Sequence, residues 1–147
     1  MNTRLLEPTL DFMRLLWSIE HSLQRMSKRM ESELGVTGPQ RLVLRIVGHF
    51  PGLSAGELAH IVRLHPSTIT GILQRLASRR LIARERDPAD SRRTRLRLAP
   101  RGRVYARSSR ATVEGVVAAA LRRSGARNVK AARTVLAELA RRLDTDQ

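Results

Sequence analysis

The sequence predicts a mainly α-helical chain with one small β-wing, and three observations carry that prediction. Apolar residues recur at helical spacing over most of the 147 residues. Two capping boxes open short helices in the first half. Alternation of period two is confined to residues 93–98. A chain of this length can bury a core without staples, and it contains no cysteine for a disulfide, a thiolate metal site or peroxide sensing.

Residues 8–34 read as one long helix, with Leu10, Met13, Leu16, Trp17, Ile19, Leu23, Met26 and Met30 apolar and no internal glycine or proline. At 100° per residue they cover roughly 200°, wider than the ~100° stripe that one buried face needs, so two partners are expected. Gly35 ends the helix. Thr37-Gly38-Pro39-Gln40 caps a second helix carrying Leu42, Val43, Ile46 and Val47, and a loop is expected from Gly48 to Gly52. Ser54-Ala55-Gly56-Glu57 repeats the box for a third helix over about 55–62, with Leu53 and Leu58 placed as a hydrophobic staple. Pro66 suits the first turn of a fourth helix that runs to about Arg79.

Leu81 and Ile82 begin an extended arm, and its partner alternates Thr94, Leu96 and Leu98 inward with Arg93, Arg95 and Arg97 outward. Asp87-Pro88-Ala89-Asp90 between them is loop chemistry, because proline lacks a donor and aspartate bonds its local backbone. Past Pro100 and Gly102 the helical period returns in Val104, Val113, Val116, Val117, Ala120 and Leu121, ending near Ser124-Gly125. A last helix carries Val129, Ala132, Leu136, Leu139 and Leu143, a spacing suited to packing on another helix. Neither terminal helix has an evident partner within the chain.

Charge narrows the function. Twenty-eight basic residues against thirteen acidic ones leave a net +15. Arginine supplies 26 of the 28, as a GC-rich genome alone could produce. Distribution separates the two explanations, since residues 75–110 hold 13 arginines against Glu85, Asp87 and Asp90, a net of +10 in a quarter of the chain. Nucleic acid is the expected partner, and the 3% of aromatic residues argues against stacking on single strands. No apolar run reaches membrane-spanning length and no signal-peptide layout opens the sequence, so a cytoplasmic protein without a membrane partner is expected, on the nucleoid when bound to DNA.

Three short helices followed by a two-stranded ribbon compose a winged helix-turn-helix. Ile69, Ile72, Leu73 and Leu76 share one face of the fourth helix, so Ser67, Thr68, Thr70, Gln74 and Arg75 fall on the surface available to a major groove. Arg86, Asp90, Arg92, Arg93 and Arg95 form the candidate wing site. Duplex DNA carries one negative charge per ~1.7 Å of axis, which relieves the repulsion among these arginines. Arg92 beside the turn suits a minor groove, Asp90 is placed to brace it through a charge-assisted bond, and Arg93, Arg95 and Arg97 suit phosphates. A solvated helix face and a solvated strand face are the competing readings. His60 and His65 lack further zinc ligands, and no phosphate loop or nucleophile elbow occurs, so neither an enzyme, a cofactor nor a metal is expected.

The run LSAGELAHIVRLHPSTITGILQRLASRRLIARERDPADSRRTRLRLAPRG, residues 53–102, resembles the MarR family (multiple antibiotic resistance regulators). Leu-Ile after the helix-turn-helix, then Asp-Pro-x-Asp-x-Arg, then a hydrophobic strand ending in x-x-x-Gly place Asp87, Pro88, Asp90, Arg92, Leu98 and Gly102 where the family pattern wants them. Ala99-Pro100 departs from the usual Leu-Thr at 98 and 99, giving up a threonine cap while Pro100 still suits a helix start. The resemblance implies a single module over 1–147, with a DNA-binding lobe over 37–99 and dimerisation helices over 1–34 and 100–147. It implies an obligate homodimer, a double-stranded pseudo-palindromic operator, and a repressor responsive to a small aromatic or anionic effector. Met13, Trp17 and His21, with Arg45 or His49 as polar partner, are the candidate effector crevice, against the alternative that this stripe is core or interface. An architectural DNA-binding protein with little sequence preference and no effector is the other functional reading.

Overall fold

Local capping chemistry sets where the backbone turns. The computed structural model describes residues 7–107 and 111–145. Its elements are α1 (Pro8–Leu34), α2 (Gly38–His49), α3 (Ala55–Val62), α4 (Pro66–Ser78), β1 (Ile82–Arg86), β2 (Thr94–Leu98), α5 (Pro100–Tyr105) and α6 (Val113–Thr145). Both capping boxes form: Thr37 N–H donates to Gln40 Oε1 at 3.2 Å and Gln40 N–H to Thr37 Oγ1 at 3.3 Å. Ser54 N–H donates to Glu57 Oε2 at 2.8 Å and Glu57 N–H to Ser54 Oγ at 3.2 Å. Gly35 closes α1 in the left-handed region, φ 71°, which a glycine enters without a Cβ penalty.

The core gathers Val43, Leu44 and Val47 of α2, Leu58 and Ala59 of α3, and Ile69, Ile72, Leu73 and Leu76 of α4 around the root of the ribbon at Leu81, Ile82 and Leu96. Burial of each large side chain contributes about 1.5–3 kcal/mol. The strands pair antiparallel with Ile82 opposite Leu98, Arg84 opposite Leu96 and Arg86 opposite Thr94. The ribbon is tied to the lobe by the segment before α3, where Gly52 N–H donates to Leu96 O and Leu96 N–H to Leu53 O, each at 2.8 Å. Gly102 is required by closeness, because a Cβ there would stand 1.9 Å from Leu81 O. That same carbonyl accepts Ala99 N–H at 3.0 Å, and Ala99 makes no side-chain cap, as the missing threonine implies.

Several boundaries differ from the sequence expectation. α2 runs through Gly48 to His49, since one glycine costs a helix only about 1 kcal/mol and here makes room for Leu98, whose Cδ1 would stand 2.8 Å from a Cβ. Leu42 stays 50% exposed while its neighbours are buried. The single helix expected from Val104 to Leu121 is two: α5 ends at Tyr105 and α6 begins at Val113, and no glycine or proline between them announces the change. The division expected at Ser124-Gly125 is present, since Gly125, with φ 76° and ψ 155°, breaks the helical backbone inside α6. Thr94 is exposed, since the ribbon extends beyond the core toward its tip. The chain forms two compact units that divide after Arg107; the first contains α1 to α5 and the second α6.

Candidate nucleic-acid interface

α4 begins at Pro66 with His65 as N-cap, whose Nδ1 accepts Ser67 N–H at 3.3 Å and lies 2.7 Å from Ser67 Oγ. With Ile69, Ile72, Leu73 and Leu76 buried, Ser67, Thr68, Thr70, Gln74 and Arg75 are all exposed on the opposite side. Thr70 Oγ1 donates to Pro66 O at 2.9 Å, which leaves its lone pairs outward. The side chains of Thr68, Gln74 and Arg75 make no hydrogen bond or ion pair among the described residues, so their donors and acceptors face solvent. Such a face can meet base edges without first breaking an internal bond.

The wing turn is built by two aspartates. Asp87 is 7% exposed, and its Oδ1 accepts Ala89 N–H at 2.9 Å while Oδ2 accepts Arg95 Nε at 2.8 Å. Together with the Arg93 charge, these contacts hold the Asp87 carboxyl below its ordinary value, the Ala89 N–H contributing most. Asp90 Oδ1 accepts the backbone N–H of Arg92 at 3.0 Å, and Asp90 O accepts Arg93 N–H at 2.9 Å. Asp90 therefore folds the turn, and the expected brace on the Arg92 guanidinium is not formed; a two-residue separation brings the carboxylate to the main chain first.

Opposite charges inside the lobe take up part of the arginine repulsion. Arg93 Nη2 lies 3.0 Å from Glu57 Oε1 and Arg97 Nε lies 3.0 Å from Glu85 Oε2. With the Arg95–Asp87 pair, these involve all three arginines of the outward alternation. The Glu57 carboxyl is held below its ordinary value, first by Ser54 and further by Arg93. Arg84, Arg86 and Arg92 have no carboxylate partner among the described residues. Register explains the division: Arg84 and Arg86 stand opposite Leu96 and Thr94, on the ribbon face continuous with the core, while Glu85 stands opposite Arg95 on the other. A cleft of about 410 Å³ opens on that first face, lined by Ser54, Gly56, Thr70, Arg84, Arg92 and Thr94 among others. It joins the cap of α3, the exposed side of α4, the unpaired guanidinium groups of Arg84 and Arg92, and Arg93 with its Glu57 partner. Arg84 and Glu57 were not identified from sequence as site residues; the strand register could have indicated Arg84, but no local signal points to the pairing of Glu57 with a residue 36 positions away.

The candidate effector residues are divided between α1, with Met13, Trp17 and His21, and α2, with Arg45 and His49. Trp17 is 59% exposed, and Met13 and His21 lie exposed on the same helix. Arg45 Nη1 donates to Ala106 O at 3.1 Å, and the His49 ring meets Phe50 edge-on at 5.9 Å. None of the five lines the cleft beside α4, nor the hollow of about 320 Å³ beneath α1, which is bounded by Leu23, Gln24, Ser27, Lys28 and Pro39.

A helix-turn-helix carrying a basic two-stranded wing, with Asp-Pro-x-Asp at its tip, can be compared with known proteins. A model of the MarR family matches residues 34–93. The HTH-type transcriptional repressor Rv2887 of Mycobacterium tuberculosis is 33% identical over 92 residues, 63% of this chain and 66% of that protein. The chain belongs to the MarR family. The crystal structure of Rv2887 in complex with p-aminosalicylic acid has a TM-score of 0.56 at 28% identity, over 86% of this chain and 95% of that one. The Staphylococcus aureus MepR–DNA complex shares the MarR fold with a TM-score of 0.68 at 19% identity, over 92% of this chain and 98% of that one. Family and fold are those of transcription regulators rather than enzymes. Among the described residues no helix is long and apolar enough to cross a membrane, and no three metal-ligating side chains come together.

Proposed function

We propose that the protein is a sequence-reading regulator of transcription that binds double-stranded DNA as a homodimer and acts as a ligand-responsive repressor. The observation that carries this reading is the cleft shared by α4 and the wing, where Thr70 sits beside the unpaired Arg84 and Arg92. Exposed base-reading groups and free cations thereby face one elongated polyanion, the phosphates giving affinity and register and the base edges giving sequence. Two α4 helices from a two-fold dimer would read half-sites about 10 bp apart.

Dimerisation is supported by the apolar side chains that one chain leaves in water. Leu10, Phe12, Trp17 and Ile19 of α1 are exposed, as are Val116, Leu121, Leu136 and Leu143 of α6. Such faces on two long helices need a second copy to cover them. The p-aminosalicylic acid complex of the Rv2887 relative supports an aromatic anion as effector, with Met13, Trp17, His21, Arg45 and His49 as the residues to test.

The deciding experiment selects a duplex from a random library with the full-length protein and measures binding by fluorescence anisotropy, beside light scattering for mass. A dimer that holds its selected duplex about 10³-fold or more above random sequence supports the reading. A ratio near one would favour an architectural DNA-binding protein instead. Added p-aminosalicylic acid should weaken operator binding about 5- to 150-fold, the usual range of coupling between two sites.

A further inference from the structure

The arginine that closes α4 reaches the ends of two other helices, α1 and α5. Arg79 is the C-cap of α4, and the chain continues through Arg80 in the left-handed region at φ 56°. The Arg79 side chain turns back under the lobe, where Nη1 donates to Gly35 O, the carbonyl of the α1 C-cap. Its guanidinium carbon lies 5.8 Å from the centre of the Tyr105 ring, the last residue of α5. A Cβ on Gly35 would stand 2.8 Å from Arg79 Nη2, so the glycine opens the space that the guanidinium fills. The α1 terminus presents carbonyls without intrahelical donors and the negative end of a helix dipole, which favour a cation. Arginine suits the place because its planar fork can donate along an edge while its face covers an aromatic ring.

The backbone that carries the ring is itself held. Arg41 donates to Tyr105 O and to Arg107 O, and Arg45 donates to Ala106 O. Two arginines of α2 thus bind the closing carbonyls of α5, and Arg79 rests on that fixed platform.

We infer that Arg79 is a positioning residue for operator binding: it pins the end of the reading helix α4 to the end of α1 and so sets the separation of the two reading helices in the dimer. The inference rests on the homodimeric DNA-binding reading above. Its physical basis is symmetry. A shift of α4 against α1 is doubled across a two-fold axis, so a slip of about 1.7 Å changes the separation by one base step of about 3.4 Å. Neither the base-reading side chains nor the wing need move within their own lobe for this to happen.

The test uses the full chain and the palindromic duplex it selects, the same duplex with one base pair inserted or removed between half-sites, and a single half-site. Wild-type protein should discriminate between the spacings by about tenfold or more. Arg79→Gln should bind the full palindrome about tenfold more weakly, bind the half-site within about twofold of wild type, and discriminate the spacings by no more than about threefold. Arg79→Lys, which keeps a donor for Gly35 O but not the flat face over Tyr105, should fall between the two. Gly35→Ala should reproduce the loss from the other side of the contact, and combining it with Arg79→Gln should add nothing. Equal losses on half-site and palindrome, or intact spacing discrimination in Arg79→Gln, would overturn the inference. So would failure of both Arg79→Lys and Gly35→Ala to fold, since the contact would then serve lobe stability. If wild-type protein selects no duplex, it is the DNA-binding reading that fails.

Discussion

Removing Arg84 and Arg92 together should flatten the salt dependence of DNA binding more than removing Arg93 and Arg95. Arg84, Arg92 and Arg93 all line the cleft beside α4, but Arg84 and Arg92 have no ion pair among the described residues, whereas Arg93 and Arg95 already face Glu57 and Asp87 at 3.0 and 2.8 Å. A free guanidinium that meets a phosphate releases a counterion, and each such contact contributes about 0.9 to the slope of log K against log salt. The Arg84→Ala/Arg92→Ala protein should therefore have a slope smaller by about 1.8. Between about 50 and about 200 mM salt, it should lose about twelvefold less affinity than wild type does. Arg93→Ala/Arg95→Ala should change the slope by less than about half as much, because those cations are shared with carboxylates before DNA arrives. Glu57→Gln tests the argument in the other direction. Glutamine keeps the capping box but frees Arg93, so the slope should rise by up to about 0.9. Fluorescence anisotropy titrations at four or five salt concentrations on one fixed duplex measure all three. Equal slopes for the two double variants would show that internal pairing does not decide which arginines reach phosphate.

Three further predictions concern single positions. Gly102→Ala should destabilise the fold by about 3 kcal/mol, combining overpacking with loss of the bond at a buried carbonyl, because its Cβ would lie 1.9 Å from Leu81 O. Thermal unfolding should shift down by about 6–12 °C, and a shift below about 2 °C would mean that α5 does not sit tightly on Leu81. Gln74→Ala should weaken the selected duplex by about 1–3 kcal/mol, a base-pair's worth of discrimination, while leaving random duplex nearly unchanged; equal losses on both would remove Gln74 from sequence reading. Asp87 has its carboxyl lowered in the folded chain, so its contribution to the wing is present above the ordinary value of 3.8 and is lost only as pH falls through the lower folded value. Carbon NMR should find Asp87 titrating below 3.8, with Arg95→Gln moving the midpoint upward; a wild-type midpoint at or above 3.8 would contradict the contacts assigned to Ala89 and Arg95.

Much of the fold was legible because its signals are local. The start of α2 follows from Thr37 and Gln40 bonding each other's backbone across three residues, and the end of α1 from a glycine at a positive φ. The exposed side of α4 follows from 3.6-residue periodicity, which leaves Gln74 and Arg75 outward once Leu73 and Leu76 are inward. The break between α5 and α6 lacked such a signal. Residues 106–112 contain no glycine or proline, and Arg41 and Arg45, more than sixty positions earlier, bind the closing carbonyls of α5.

The sequence alone determined that a basic wing follows a helix with a polar exposed face, because caps, periodicity and charge density act between residues close along the chain. It did not determine which wing arginines are available. Coulomb attraction is governed by distance through space, and only the packed lobe brings Glu57 against Arg93 and places Arg84 opposite Leu96. The same holds for Arg79, whose partners Gly35 and Tyr105 lie far away in both directions along the chain and become neighbours only when three helix ends converge.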